Sequence, residues 1–310
     1  MESLNRMALD LVDEALDFAE ELAIEAHELD NGATVIDFGV EALGGVEAGL
    51  LLAEIQSAGL ASVASSIGEV AGAPRPVVDL TTDHPALALL CSQKAGWEVS
   101  VDGFEGLGSG PARALVAEEE EFRRLGYADA FEFAVLAIES DELPGEAVAE
   151  HVADLAGVAP NAVFLPTYPT ASIVGSVTTA ARAAELAVWR AFELGYDPLD
   201  VLTASASAPV APVAASEEAA MARTNDALAY GSRVHLTVES DFDRFDELPS
   251  TAREEYGAPF AEVFEAVDWD FYDLSEGVFA PARVAVDVVG GPAYALGETD
   301  EDLLAASFGL

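Results

Sequence analysis

The sequence predicts a mixed fold, α/β in content and of the α+β type in arrangement, on three observations. Apolar spacing switches repeatedly between helical and alternating periods along the chain. Helix and strand signals follow one another irregularly, which argues against a clean doubly wound sheet. Of the 310 residues, 51% are hydrophobic and the mean hydropathy is +0.27, so a sizeable core is available and disorder is excluded. The length suits one large domain or two ordinary ones.

Taken in order, apolar positions 4, 7, 8, 11, 15, 18, 19 and 22 place an amphipathic helix at the start. HELDNGATVIDFGV reads as a hairpin, with Asn31 and Gly32 supplying the turn. A glycine-rich passage leads into a helix over 47–56. Residues 73–80 read as extended, and 85–91 as a short apolar extended piece. A strand is expected over 97–101, then a loop GFEGLGSG and a helix from Pro111. Residues 134–138 read as a buried strand, 145–156 as a helix after Pro144 and 163–165 as a short strand. A helix over 180–194 ends at Gly195. Strand signals recur over 233–239, 278–285 and 293–296. The acidic run EEEEFRR near 118–124 is a candidate seam, giving an N-terminal αβ domain over 1–125 and a C-terminal one over 126–310, with exchange of segments between them allowed.

Charge narrows the setting. The chain carries 57 acidic residues against 13 basic ones, a formal net charge of −44, and Lys94 is its one lysine. In dilute salt such a chain repels itself, whereas about 1 M salt shortens the screening length to roughly 3 Å. Acid-rich and lysine-poor composition therefore reads as adaptation to a salt-filled cytoplasm. No basic face can be assembled for nucleic acid, and no apolar run approaches the ~20 residues that span a membrane. The opening residues are acidic where a signal peptide is basic. The single cysteine, Cys91, excludes an intramolecular disulfide and a multi-cysteine metal site.

Four groups of residues stand out. GLGSGPARAL, with Gly108, Ser109, Gly110 and Arg113, offers glycines, a helix start and a cation that together suit an anion, or else a plain structural turn. It lacks the Lys-Ser/Thr of a P-loop and the spacing of a dinucleotide fingerprint. Arg182 and Glu185 share a helix face amid Ala, Val and Thr. A surface pair there is worth only ~0.2–0.5 kcal/mol, whereas a buried one costs several kcal/mol unless offset. Arg190 and Glu193 repeat the spacing and serve as a comparison. Lys94 in SQKAGW keeps an ammonium where the rest of the chain uses guanidinium, which suggests a specific task. Glu139 closes a buried strand and either enters a cleft or emerges into water. His27, His84, His151 and His235 show no ligand spacing, and the three tryptophans read as core.

Together TDHPALALLCSQKAGWEV, GSGPARAL, PTASIVGSVTTAARAAE, MARTNDALAYG and DEDLLAASFGL make the chain resemble the methenyltetrahydromethanopterin cyclohydrolase family from end to end. Ala206 and Ala222 stand where that pattern has glycine. The resemblance implies a homotrimer of two mixed αβ domains with a pocket between them, working without metal or organic cofactor. It implies reversible hydrolysis of the N5,N10-methenyl bridge of a reduced pterin to the N5-formyl form. In the family pattern Arg182, Glu185, Lys94 and Glu139 match catalytic positions. Glu185 would take the proton from water, beside Arg182, and Glu185 or Lys94 would return one to N10 as the ring opens. Glu139 would steady the cationic pterin. Thr170, Ser172 and Ser176 would contact the pterin, and the GSGPAR segment with Arg113 its anionic tail. The same reaction on methenyl-tetrahydrofolate, a non-catalytic pterin carrier and a salt-adapted assembly protein are the alternatives.

Overall fold

The computed structural model describes residues 3–269, 274 and 277–310. Met1 and Glu2 of the acidic opening lie outside them. The chain forms two compact units, Met1–Ser62 with Leu87–Thr178, and Val63–Ala86 with Thr179–Leu310.

The first unit is built on a seven-stranded sheet. Its path runs Glu25–Glu28, Thr34–Asp37, Val163–Tyr168, Ala137–Glu139, Phe104–Ser109 and Ala95–Val101, with Ala134–Val135 also beside Val163–Tyr168. Thr34–Asp37, Val163–Tyr168 and Ala137–Glu139 are parallel neighbours, and the outer pairs are antiparallel. Side chains alternate across a strand, so each central strand is apolar on both faces. Ile36 and Ala137 join Leu4, Ala8, Val12, Leu52 and Ile55 of the Leu4–Asp17 and Val46–Gln56 helices. Val35, Leu136, Ile138 and Leu165 face Val148, Ala149 and Val152 of the Glu146–Ala156 helix. Helices thus cover both faces of the sheet.

The second unit carries a six-stranded sheet in the order Ala293–Gly297, Arg283–Val288, Arg233–Val238, Val201–Pro209, Ala73–Thr82 and Ser62–Val70. Arg233–Val238 and Arg283–Val288 are parallel, and their other neighbours antiparallel. Here only one face is apolar. Ala204, Ala206, Val234, Leu236, Val284 and Val286 are buried, and the Ala183–Glu193 helix packs on the Val201–Pro209 and Arg233–Val238 strands. A separate aromatic cluster, Tyr230, Phe260, Phe264 and Phe308, gathers the helices Glu217–Asp226, Phe260–Glu265 and Glu301–Phe308.

Several expectations change. The seam near 118–124 is the helix Glu120–Leu125, inside the first unit, because Phe122 and Glu121 are buried there. The division takes Val63–Ala86 from the middle of the N-terminal half instead of cutting the chain at 125. GFEGLGSG is largely strand: a side chain at Gly106 would come within 2.6 Å of Ile138, so glycine permits close sheet contact there instead of looping. Residues 85–91 become the wide helical turn Ala86–Gln93, and the helix after Pro111 is a single turn, Arg113–Val116. The strand expected over 278–285 lies at Arg283–Val288. Among the described residues, no helix is long and apolar enough to cross a membrane.

Asp37 ends its parallel strand by turning its carboxylate onto the next loop. It accepts from the N–H groups of Gly39, Val40, Glu41 and Ala42 at 2.7–2.8 Å. Burial alone would raise its pKa, but these four donors outweigh it and hold the group below the usual carboxylate range. Asp37→Asn exchanges an anion for an amide at that loop and is expected to destabilise the protein by about 2 kcal/mol. Because the native pKa is lowered, the contribution persists at neutral pH and is lost as pH falls through the native value. Denaturant titration of the variant at neutral and acidic pH checks both, and an unchanged midpoint at neutral pH contradicts them.

Candidate active site

Three parallel strands of the first unit finish side by side at Asp37, Tyr168 and Glu139. Loops that follow the carboxyl ends of parallel strands are where open αβ sheets place ligands. Glu139 lies at that edge, half-buried, and accepts a short hydrogen bond from the hydroxyl of Thr170, which is buried. Ser172 donates to the Pro169 carbonyl at 2.8 Å and accepts from the Gly175 N–H at 2.9 Å, so it starts the Ile173–Ala180 helix. Ser176 follows one turn later and is buried. Glu139, Thr170, Ser172 and Ser176 therefore belong to one strand edge and the helix that leaves it.

Arg182 and Glu185 lie in the second unit. The helix expected over 180–194 is in fact two, Ile173–Ala180 and Ala183–Glu193, and Arg182 stands at the break. Glu185 is in the first turn of the second helix, where exposed N–H groups favour negative charge. Arg182 Nη1 donates to Glu185 Oε2 at 2.8 Å, and their side chains are 11% and 6% exposed. The comparison pair is looser and wetter: Arg190 and Glu193 are 3.5 Å apart, at 17% and 27%. Alanines 183, 184 and 187 account for the burial of the first pair. A surface ion pair is excluded for it.

Lys94 is bound into a four-charge cluster. Its Nζ reaches Glu119 at 3.0 Å and Glu121 at 2.5 Å. The same two carboxylates take Arg113 Nη2 at 2.6 and 3.0 Å, and Arg113 Nη1 donates to the carbonyls of Leu90, Ser92 and Lys94. Arg113 is fully buried, beside Phe122, so its guanidinium is spent inside the unit. A side chain at Gly96 would lie 2.6 Å from Arg113 Nε, which is why SQKAGW has glycine two places after the lysine. Burial opposes ionisation of Glu119, yet the Arg113 bonds and charge, with Lys94, hold it down at about 2. Burial pushes Glu121 up. Burial also pushes the Cys91 thiol up to about 12, so it is no nucleophile near neutral pH.

GSGPAR, expected from the resemblance to meet the substrate's tail, is engaged within its own unit in this geometry. Ser109 is buried and accepts from Gln56 Nε2, which also donates to Tyr168; the Gly110 N–H donates to Ser92. Gly108 packs against Leu136, and Arg113 has the partners just described. The polar groups that looked available in sequence are satisfied internally, and the helix start is one turn long. Glu119, Glu121 and Asp37 were not singled out in the sequence: the first two sit in the acidic run read as a seam, and their burial arises from pairing with Arg113 and Lys94. Among the described residues, no three His, Cys, Asp or Glu side chains gather as metal ligands.

Residues 3–308 match the family model described as cyclohydrolase (MCH). A methenyltetrahydromethanopterin cyclohydrolase of Halobacterium salinarum is 62% identical, covering 100% of both chains. Proteins of that name from Methanocella arvoryzae and Methanothermobacter marburgensis are each 41% identical, covering 100% of this chain and 99% and 100% of their own.

The four-charge cluster yields a test in pH. With its native pKa depressed, Glu119 contributes stability that is complete above 4.5 and disappears as pH falls toward about 2. Glu121 acts in the opposite sense, since its pKa is raised. The stability difference between the protein and Glu119→Gln is therefore expected to shrink on acidification across that window. A difference that stays constant across it contradicts the assignment.

Proposed function

The chain belongs to the methenyltetrahydromethanopterin cyclohydrolase family, and from that premise we propose that it reversibly hydrolyses the N5,N10-methenyl bridge of methenyl-tetrahydromethanopterin to the N5-formyl compound. It is a hydrolase acting on a cyclic amidinium carbon–nitrogen bond. The observation that carries the reading is the buried Arg182–Glu185 pair at a helix break, a costly arrangement that simple folding does not require. The relatives' names carry tetrahydromethanopterin, which favours it over tetrahydrofolate as the carrier.

The methenyl carbon lies between two nitrogens sharing one positive charge, so it is electrophilic without further activation. Water adds there, its O–H bond breaking as Glu185 accepts the proton, and the charge on the bridge is neutralised. Arg182, bonded to the same carboxylate, fixes the direction of its lone pair and orders the water. The adduct then collapses: its O–H proton departs, the C–N10 bond breaks, and N10 takes a proton. Glu185 returns the proton it accepted, or Lys94 delivers one while held between Glu119 and Glu121. Substrate cation and water give the neutral formyl compound and one proton. Glu139, oriented by Thr170, supplies negative charge for the cationic pterin, and Thr170, Ser172 and Ser176 are its polar contacts. Glycines 108 and 110, Ser109 and Arg113 serve these groups as scaffold.

The proposed setting is a salt-filled cytoplasm, on a charge of −44 and a relative from Halobacterium, and the proposed assembly is the homotrimer that the resemblance implies. Sedimentation in concentrated KCl is expected to return about three times the 32.3 kDa chain mass, and a monomer mass overturns the trimer. Loss of the methenyl chromophore reports turnover. Glu185→Gln is expected to lower kcat by about 100-fold or more, and Glu193→Gln to leave it nearly unchanged. Lys94→Arg keeps the charge but replaces a compact ammonium with a planar fork, and a loss of about tenfold or more is expected. Full turnover in Glu185→Gln removes it as base, and full turnover in Lys94→Arg removes the lysine from the chemistry.

A further inference from the structure

Among the described residues, the Ala183–Glu193 helix packs on one face of the second unit's sheet, and the opposite face has a chemistry that the proposed cyclohydrolase reaction does not use. Residues alternate across the sheet, so Ser205, Ser207, Arg233, His235, Arg283 and Ala285 lie opposite the face carrying the Ala183–Glu193 helix. They line a concavity of about 470 Å³, together with Asp79, Thr81 and Ala295.

Arg233 and Arg283 are register partners on parallel neighbouring strands, about 4.8 Å apart along the hydrogen-bonding direction. Both are exposed. Like charges placed directly side by side destabilise a sheet unless something lies between them. In a chain with 57 acids, finding a carboxylate partner is the easiest possible task. Arg113, Arg182, Arg190 and Arg244 each have one. Among the described residues, Arg233 and Arg283 have neither an ion pair nor a side-chain hydrogen bond.

The carboxylates at the rim are occupied elsewhere. Asp79 is two strands from Arg233 and accepts from Ser66 at 2.8 Å. Asp287 lies four residues from Arg283, about 13 Å along the strand, and takes His235 Nε2 at 3.0 Å. Between them the floor offers the hydroxyls of Thr81, Ser205 and Ser207 over small side chains, with Thr81 and Ser205 hydroxyls 3.3 Å apart. Two guanidinium groups carried side by side on parallel strands, with a row of hydroxyls on the neighbouring strands, match a tetrahedral dianion, whose oxygens accept bidentate bonds.

We propose that this concavity binds a doubly charged oxyanion of the phosphate class, free or as a monoester, with Arg233 and Arg283 as its clamp. Long-range attraction plays no part, because the protein's net charge repels anions. In concentrated salt that repulsion is screened within roughly 3 Å, and direct contacts decide affinity.

The test is calorimetric titration of the intact protein in about 2 M KCl, first with inorganic phosphate and then with glycerol 3-phosphate. Saturable binding is expected, weakened about tenfold or more in Arg233→Gln/Arg283→Gln, while methenyl turnover and far-UV circular dichroism of that variant stay unchanged. Tighter binding of phosphate identifies the free anion as ligand; tighter binding of the ester identifies a phosphorylated metabolite. Absence of binding, or equal affinity in the double variant, overturns the site. A double variant that loses its assembly mass, from a parent that takes no phosphate, assigns the arginines to subunit contact and overturns it too.

Discussion

Arg113 has no exposed surface, yet its guanidinium makes bonds to two carboxylates and three carbonyls. Through them it ties the end of the Ala86–Gln93 turn to the acidic stretch that becomes the Glu120–Leu125 helix. Two cations and two anions meet there, so the cluster is neutral as a whole, and each carboxylate is touched by both cations. Such a group costs desolvation and gains it back only with complete bonding. It also fixes the main chain at Lys94, whose carbonyl and ammonium are both engaged. With 13 cations serving 57 acids, a fully buried arginine is a heavy commitment, and it sets where the remaining basic residues are available.

The break at Arg182 follows the same logic on a smaller scale. A continuous helix would place residue 182 in mid-helix, with its side chain swept along the surface. Interrupting the helix lets the arginine stand at the junction while Glu185 begins the next one. The pair then enjoys the N-terminal partial charge of a fresh helix, which a mid-helix glutamate lacks. The neighbouring Arg190–Glu193 pair, with identical spacing in the helix's last turn, is looser and less buried. Spacing alone therefore does not set closeness or burial: the first pair stands at a helix start, the second in the last turn of that helix.

Much of the first unit was legible because its strands and helices carry strong apolar periods: the opening helix, 47–56, 134–138 and 145–156 all fall near their observed places. The Arg182–Glu185 pair was legible from its alanine surroundings. What escaped was governed by distant partners. Val201–Pro209 reads VLTASASAP, mostly alanine and serine with no aromatic residue, and is a strand because neighbours on both sides complete its hydrogen bonds. Ser62–Val70, exposed and serine-rich, is the edge strand of the same sheet and pairs with Ala73–Thr82 alone. Glu119 and Glu121 stood out only as part of an acidic seam, and Arg113 as a ligand for an anion, because no local rule reveals that they meet. Glycines 106 and 108 suggested a loop where they serve close sheet contact.

The discontinuous second unit has a consequence for how the chain emerges during synthesis. Ser62–Val70 and Ala73–Thr82 are made early, but the strand that continues their sheet, Val201–Pro209, follows more than a hundred residues later, with Ser207 pairing to Asp79. In the interval the rest of the first unit, Leu87–Thr178, is translated, so a two-stranded ribbon waits with an open edge. Isolated hairpins of that kind are marginally stable and invite pairing with other chains. Its waiting edge strand, APRPVVDLTT, carries two prolines, an arginine and an aspartate, residues that interrupt or repel an incoming strand. The interleaved order of the two units thus places a chaperoning burden on the sequence of one early ribbon, and its edge is composed to bear it.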